Sequence, residues 1–305
     1  PYMNDIESFF GILPDGTAVI EMAAASGLPL VGENKNPMLT STYGTGQLIR
    51  AALDRGCRDI VIGIGGSATN DGGIGCLSAL GVRFNTQSGE EAEPNGKGMA
   101  SIESIDLSDL DSRIDEVDIQ VLCDVTSPLY GTDGAAYVFA PQKGADEETV
   151  RFLDDALMHY ATVTEKVTGA DFSQLPGAGA AGGLGFGLVS FLQAKLVPGA
   201  PTILRKMGFD TLAKKADLVI TGEGCFDEQS LLGKAPSCVA ELSGDTTVIA
   251  VAGKCTVELQ ENSPIKKVYV TNPDNKPFEQ VKKDCFEDLR KTAKMIAKDY
   301  FDKKF

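Results

Sequence analysis

The run Gly63-Ile-Gly65-Gly66-Ser67-Ala-Thr-Asn70-Asp71-Gly72-Gly73 constrains this chain more than any other stretch. An apolar, β-type segment, Asp59-Ile-Val-Ile62, precedes it, and a helix-like one, Ile74 to Leu80, follows. A glycine-dense turn between strand and helix bares backbone N–H groups beside a helix N-terminus, and such a turn favours a bound anion. Gly65, Gly66, Ser67, Asn70 and Gly72 are therefore candidate phosphate or substrate contacts. Asn70 and Asp71 add an amide and a carboxylate. A pure phosphate cradle needs no carboxylate, whereas a site that also handles Mg²⁺ or a substrate hydroxyl does. Asp71 thus reads either as a turn-capping residue or as a base or Mg²⁺ ligand.

Strand-like and helix-like segments alternate along the chain, which predicts α/β layers. Thr17 to Met22, Arg58 to Ile64 and Ile119 to Cys123 read as strands, and Gln47 to Arg55 as a helix ended by Gly56. Residues 85 to 100 read as a polar surface loop. Asp146 to Val167 reads as a long amphipathic helix, with Phe152, Leu153, Ala156, Leu157 and Tyr160 at helical spacing and Gly169 as its stop. Gly182 to Lys195 is expected to be a second helix, closed by Pro198-Gly199. Beyond about Ala200, strands are expected at Ala216–Ile220, Thr246–Val251 and Lys266–Val270, with helices at Ala235–Leu242 and Phe278–Phe301. That order suits a parallel, Rossmann-like sheet.

Length and charge narrow the function. A chain of 305 residues suggests two domains. The net charge of −15 argues against a nucleic-acid partner. Seven cysteines without a C-x-x-C pair suit a reducing, cytoplasmic setting rather than a disulfide framework or zinc site. No apolar run reaches the roughly 18 residues of a membrane-crossing helix. The single histidine, His159, lies on a helical pattern and reads as structural.

Several further residues could carry chemistry. Asp124 follows the buried strand ending at Cys123, where ligands bind in open α/β folds. Gly177 to Gly187 holds six glycines in eleven residues, read either as close helix packing or as a second anion nest formed by Gly179, Gly182 and Gly183. Thr221-Gly222-Glu223-Gly224, running on to Asp227, Gln229 and Ser230, is too polar for a routine connection. Lys234, after Gly233, could reach a phosphate, and Lys143 is a weaker candidate of the same kind. Gly63-x-Gly65-x-x-Ala68 formally fits a dinucleotide fingerprint, but Val82-Arg-Phe84 leads into Asn85 where the ribose acid belongs. No G-x-x-x-x-G-K-S/T loop occurs.

Taken together, these blocks resemble the bacterial glycerate kinase family, which does without a Walker loop. The resemblance also rests on Leu13-Pro-Asp-Gly16-Thr, Cys123-Asp124-Val, Pro141-Gln-Lys143-Gly144-Ala, Leu175-Pro-Gly177-Ala-Gly179 and Gly233-Lys234-Ala-Pro236, in family order over nearly the whole chain. It implies phosphoryl transfer from ATP, with Mg²⁺, to a hydroxyl of D-glycerate, 2-phosphoglycerate being the favoured product. It also implies a middle α/β domain at about 1–205 and, at about 206–305, the C-terminal half of a Rossmann-like domain. Members carry a further N-terminal segment with Ser-Phe-Lys-Gly and Ala-Asp-Gly-Gly-Glu-Gly type turns. The sequence opens instead at Pro1-Tyr-Met-Asn and reads as part of a longer polypeptide. Within this reading Asp227 is assigned as base and Lys234 as the phosphate cation. Asp71 and Glu223 are assigned to the metal, and Asp124, Gly222 and Gln229 to the substrate. A homo-oligomer remains open, as do two rivals: an NAD-dependent dehydrogenase, or a non-catalytic sensor of a small acid.

Overall fold

The computed structural model describes residues 1–231 and 233–304. The chain divides into two compact units, Pro1–Gly199 and Ala200–Phe305. Ten strands are β1 (Gly11–Ile12), β2 (Ala18–Glu21), β3 (Asp59–Gly63), β4 (Arg83–Asn85), β5 (Ser104–Asp106), β6 (Asp118–Leu122), β7 (Lys195–Val197), β8 (Val219–Phe226), β9 (Val248–Cys255) and β10 (Ile265–Val270), counted among the described residues.

In the first unit five strands lie in the order β1-β2-β3-β6-β7. All neighbours are parallel except β1 and β2. The central strand β3 carries Ile60, Val61 and Ile62 with at most 3% exposure, so both of its faces are covered, as parallel strands require. Register sets Ile62 beside Ile20 on one side and Val121 on the other. The helix Tyr43–Asp54 buries Leu48, Ile49, Ala52 and Leu53. Gly46 lets it approach the next helix closely, because a Cβ there would stand 2.1 Å from the Cys76 carbonyl oxygen.

The long helix spans Glu147–Thr168, and local chemistry accounts for both of its ends. The Asp146 carboxylate accepts from the Thr149 N–H, Glu147 and Glu148 sit in the first turn, and Gly169 stops the helix in the left-handed conformation. Leu153, Ala156, Leu157 and Tyr160 face the core, but Phe152 is 38% exposed and lies on the outer side.

Three expectations need correction. The segment read as a helix over Gly182–Lys195 is helical from Ala180 to Leu192 and broken at Ala181, Gly182 and Gly183, all left-handed. Gln193 turns left-handed in its wake, and Lys195–Val197 is then free to pair with β6 as the edge strand β7. The stretch 85–100 is not all loop, since Gly96–Met99 is a helical turn whose Asn95 side chain accepts from the Gly98 N–H. β8 and β9 also run several residues further than the apolar pattern does, through Phe226 and Cys255. Glycine permits the extension: a Cβ on Gly222 would meet the Val251 carbonyl oxygen at 2.5 Å.

The second unit holds a parallel three-stranded sheet, β10-β9-β8. Ile249, Tyr269 and Ile296 of the helix Phe278–Phe301 pack on one face, and Ala240 of the helix Ala235–Leu242 joins Val248, Ala250 and Phe226 on the other. Among the described residues no helix is long and apolar enough to cross a membrane.

The packing around Gly182 is testable. A Cβ there would stand 2.1 Å from the Thr69 carbonyl oxygen, and φ is +71°. Gly182→Ala should destabilise the first unit by roughly 3 kcal/mol or more, combining overpacking with a left-handed penalty. Gly16→Ala, with φ +87° but open space around it, should cost only about 1 kcal/mol. Urea midpoints of the two variants measure the difference.

Candidate active site

β3 delivers the chain into the glycine turn. Gly65 and Gly66 form its exposed tip, Gly66 with φ +71°. A Cβ on Gly65 would meet nothing within 4 Å, so the space above it is open. Ser67 then pairs with Gly27 in an isolated antiparallel bridge, and the Leu28 N–H donates to the Gly66 carbonyl. From here the chain dives into the protein: Thr69, Asn70 and Asp71 are all 0% exposed. Both amide atoms of Asn70 and the Thr69 hydroxyl are buried with no partner among the described residues. Buried polar groups in this state are uncommon and mark sites where water or a ligand group belongs.

Asp71 is not placed to bind a metal, contrary to the expectation. Its Oδ2 accepts from the Thr42 N–H (2.8 Å), the Thr42 hydroxyl (2.7 Å) and the Gly75 N–H (3.3 Å), while Oδ1 accepts from the Gly73 N–H (3.2 Å). Burial pushes its carboxyl up, against the hydrogen bonds from Thr42, Gly73 and Gly75 that pull it down. The capping reading is the one the geometry supports: Asp71 organises the turn and the entry to the helix Ile74–Ala79. Thr42 is the residue that sequence reasoning missed. Its hydroxyl also accepts from the Cys76 N–H (2.8 Å), closing a loop across the turn. Nothing local to Thr42 announces a contact 29 residues away.

The second glycine cluster is packing rather than an anion nest. Gly179, Gly182 and Gly183 are buried. The Gly179 N–H donates to the Ser127 carbonyl and the Gly183 N–H to that of Gly179. The Gly182 carbonyl accepts from the Gly72 N–H at 2.9 Å, and a Cβ on Gly183 would touch the Gly72 Cα at 2.9 Å. The cluster therefore backs the 69–73 turn. Asp124 is exposed beyond β6, and its Oδ1 accepts from the Gly199 N–H at 2.8 Å.

The dinucleotide reading also lacks its second strand. β4, which ends at Asn85, pairs with β5 in a separate antiparallel ribbon, so it is not the next strand of the main sheet. His159 is structural: its Nε2 lies 2.6 Å from the Ile102 carbonyl oxygen, so that nitrogen carries the hydrogen.

In the second unit, Gly222 and Glu223 lie on β8 itself, not past its end. Glu223 Oε1 is buried with no partner among the described residues. Just beyond the strand, Asp227 and Ser230 bond reciprocally: the Asp227 N–H donates to Ser230 Oγ (2.9 Å), and the Ser230 N–H donates to Asp227 Oδ1 (3.2 Å). This fixes a carboxylate that stays 38% exposed. Lys234, at the N-cap of the helix Ala235–Leu242, brings Nζ to 3.9 Å from Asp227 Oδ1. Gln229 is exposed on the same short turn. Among the described residues no three acidic, Cys or His side chains form a metal-holding group.

Lys143 does not reach outward to a phosphate. It is 2% exposed, and its Nζ donates to Ser67 Oγ (2.8 Å) and the Thr69 carbonyl (2.7 Å). Burial lowers its ammonium from the ordinary 10.5 to about 7, partly opposed by the Asp71 charge.

Two outcomes follow from these buried charges. Asp71→Asn replaces an acceptor oxygen by a donor among four donors. It should lower stability by about 3 kcal/mol, read by denaturant titration, since hydrogen bonds to charged groups are worth roughly 1.5–3 kcal/mol each. For Lys143, the unfolded chain binds one more proton than the folded chain between pH of about 7 and 10.5. Wild type should therefore gain stability relative to Lys143→Met as pH rises through that window, and the difference should be flat below it. Thermal melts at stepped pH measure this.

Residues 1–300 match the model of the glycerate kinase family. The chain is 46% identical over 303 residues to the glycerate kinase of Bacillus subtilis (strain 168), covering 97% of this chain and 79% of that protein. It is 45% identical over 260 residues to the glycerate 2-kinase of Escherichia coli (strain K12), covering 84% and 68%. A solved crystal structure from Salmonella typhimurium LT2, provisionally named glycerate kinase 2, superposes with a TM-score of 0.86 at 40% identity and covers 100% of this chain and 81% of that one. With a family match over nearly its whole length and relatives this similar along two thirds or more of their own, the chain belongs to the glycerate kinase family.

Proposed function

We propose that this chain transfers the γ-phosphoryl group of ATP to a hydroxyl of D-glycerate, with 2-phosphoglycerate as product. The family carries the reaction class, and the similarity to a glycerate 2-kinase favours the 2-position. The observation that carries the mechanism is the Asp227–Lys234 pair. A carboxylate held by Ser230 remains open to solvent at the end of a parallel strand, with an ammonium 3.9 Å away. Carboxyl ends of such strands are where α/β folds bind ligands.

Phosphoryl transfer needs positioning, charge neutralisation and an acceptor for the hydroxyl proton. Asp227 accepts the proton of the attacking hydroxyl. Lys234 offsets charge on the transferring oxygens, and a lysine head of this kind serves as a point charge for phosphate. Gln229, on the same turn as Asp227, contacts the substrate, and in the first unit the exposed Gly65–Gly66 tip binds an anionic oxygen. Mg²⁺ accompanies ATP and lowers the charge of its phosphates. Glu223, whose Oε1 is buried without a partner among the described residues, fits such an ion, whereas Asp71 does not, because its oxygens already accept four donors.

Coupled ADP release with D-glycerate tests the activity, and phosphorus NMR of the product separates the 2- from the 3-phosphate. Asp227→Asn should lower turnover at least about a hundredfold, the usual scale for losing a general base, while melting at the same temperature. Near-normal turnover would reduce Asp227 to a turn residue. ATP with Mg²⁺ should raise the melting temperature and NAD⁺ should not.

A further inference from the structure

Lys143 is a buried lysine that stability alone does not explain. It sits on the short turn Pro141–Lys143, which Gly144 closes at φ +96°. Its Nζ meets two neutral acceptors, Ser67 Oγ and the Thr69 carbonyl, and it forms no ion pair among the described residues. Asp71 attracts it only at longer range, and both Asp71 oxygens already accept other donors. Taking an ammonium out of water costs several kcal/mol, and an apolar side chain of similar volume would usually fill such a space at least as well. The position therefore has a use for an amine that donates to Ser67 and Thr69.

That use follows from the donor and acceptor inventory. An ammonium only donates, a carbonyl only accepts, and a hydroxyl does both. Lys143 occupies a lone pair of Ser67 Oγ. While Lys143 is protonated, the form that burial confines to pH below about 7, the hydrogen of Ser67 must point elsewhere, and the adjacent positive charge polarises it. Ser67 directly follows the exposed Gly65–Gly66 tip, above which the space is open. We propose that Lys143 is a positioning residue that turns the Ser67 hydroxyl into a charge-polarised donor for an oxygen of an anion bound at the Gly65–Gly66 tip. The anion is a phosphate or a carboxylate. Its identity as part of ATP or of glycerate rests on the phosphoryl-transfer reading, but its binding does not.

The test compares wild type with Ser67→Ala, Ser67→Thr, Lys143→Met and the double variant Ser67→Ala/Lys143→Met. Steady-state kinetics with ATP and D-glycerate are read beside melting temperatures. Ser67→Ala should raise one KM about tenfold, the scale of one hydrogen bond to a charged group, with its melting temperature held. Ser67→Thr, which keeps the hydroxyl, should restore most of the affinity. Lys143→Met should raise the same KM, and the double variant should be no worse than the poorer single one, because the lysine acts through the serine. A rise in KM for ATP assigns the oxygen to a phosphate, and a rise for D-glycerate assigns it to a carboxylate. Multiplying effects in the double variant would overturn the proposal, and so would an unchanged Ser67→Ala, which decides alone if Lys143→Met does not fold. Should wild type fail to turn over D-glycerate, the functional reading falls first. Calorimetry of the same proteins with ATP and with inorganic phosphate then decides: a tenfold weaker Kd in Ser67→Ala supports the relay, and no binding by wild type overturns it.

Discussion

The carboxylate of Asp71 holds the turn around which the first unit is organised. Four donors converge on its two oxygens, from Thr42, Gly73 and Gly75. Through Thr42 it ties the start of the helix Tyr43–Asp54 to the start of the helix Ile74–Ala79. Through the turn it sets the direction in which β3 hands its chain to the surface. An isolated carboxylate would be expelled from such a place, and the converging N–H and O–H groups are what make its burial tolerable.

Glycine contributes in two different ways around this centre. At Gly65 it leaves open space in front of the turn, and at Gly182 and Gly183 it removes side chains that would otherwise collide with the turn from behind. The same residue type thus exposes backbone on one side and permits backbone-to-backbone packing on the other. The consequence is a packed rear wall and an accessible front. Lys143 is buried and donates to the turn at Ser67 Oγ and the Thr69 carbonyl.

The second unit follows a simpler plan. Its parallel strands run toward a polar segment in which one acid, Glu223, is drawn into the sheet while another, Asp227, stays half in water. Two carboxylates four residues apart, one on the strand and one just beyond it, therefore live in different environments. Relatives in the glycerate kinase family span a longer chain, of which this one covers 68–79% in the Escherichia coli and Bacillus subtilis proteins.

Much of the architecture is legible from local chemistry. The Asp146 cap, the Gly169 stop, the apolar run of β3 and the helices Ala235–Leu242 and Phe278–Phe301 each follow from neighbours within about one turn of chain. The family resemblance is legible too, because its motifs are contiguous. The environment of each candidate residue is not. Asp71 and Asp227 look alike as loop acids, yet one is saturated by Thr42, 29 residues away, together with Gly73 and Gly75, while the other is held on one oxygen by a serine three residues on and stays open to solvent. Lys143 and Lys234 both follow or precede glycine near a turn, yet one bonds a serine 76 residues distant and the other stays exposed. β7 exists only because β6 offers it an edge. The sequence by itself determined the elements, since propensity and capping act over a few residues. Only the tertiary structure decided which charges are buried and what they hold, because desolvation and hydrogen-bond saturation depend on groups that folding brings from far along the chain.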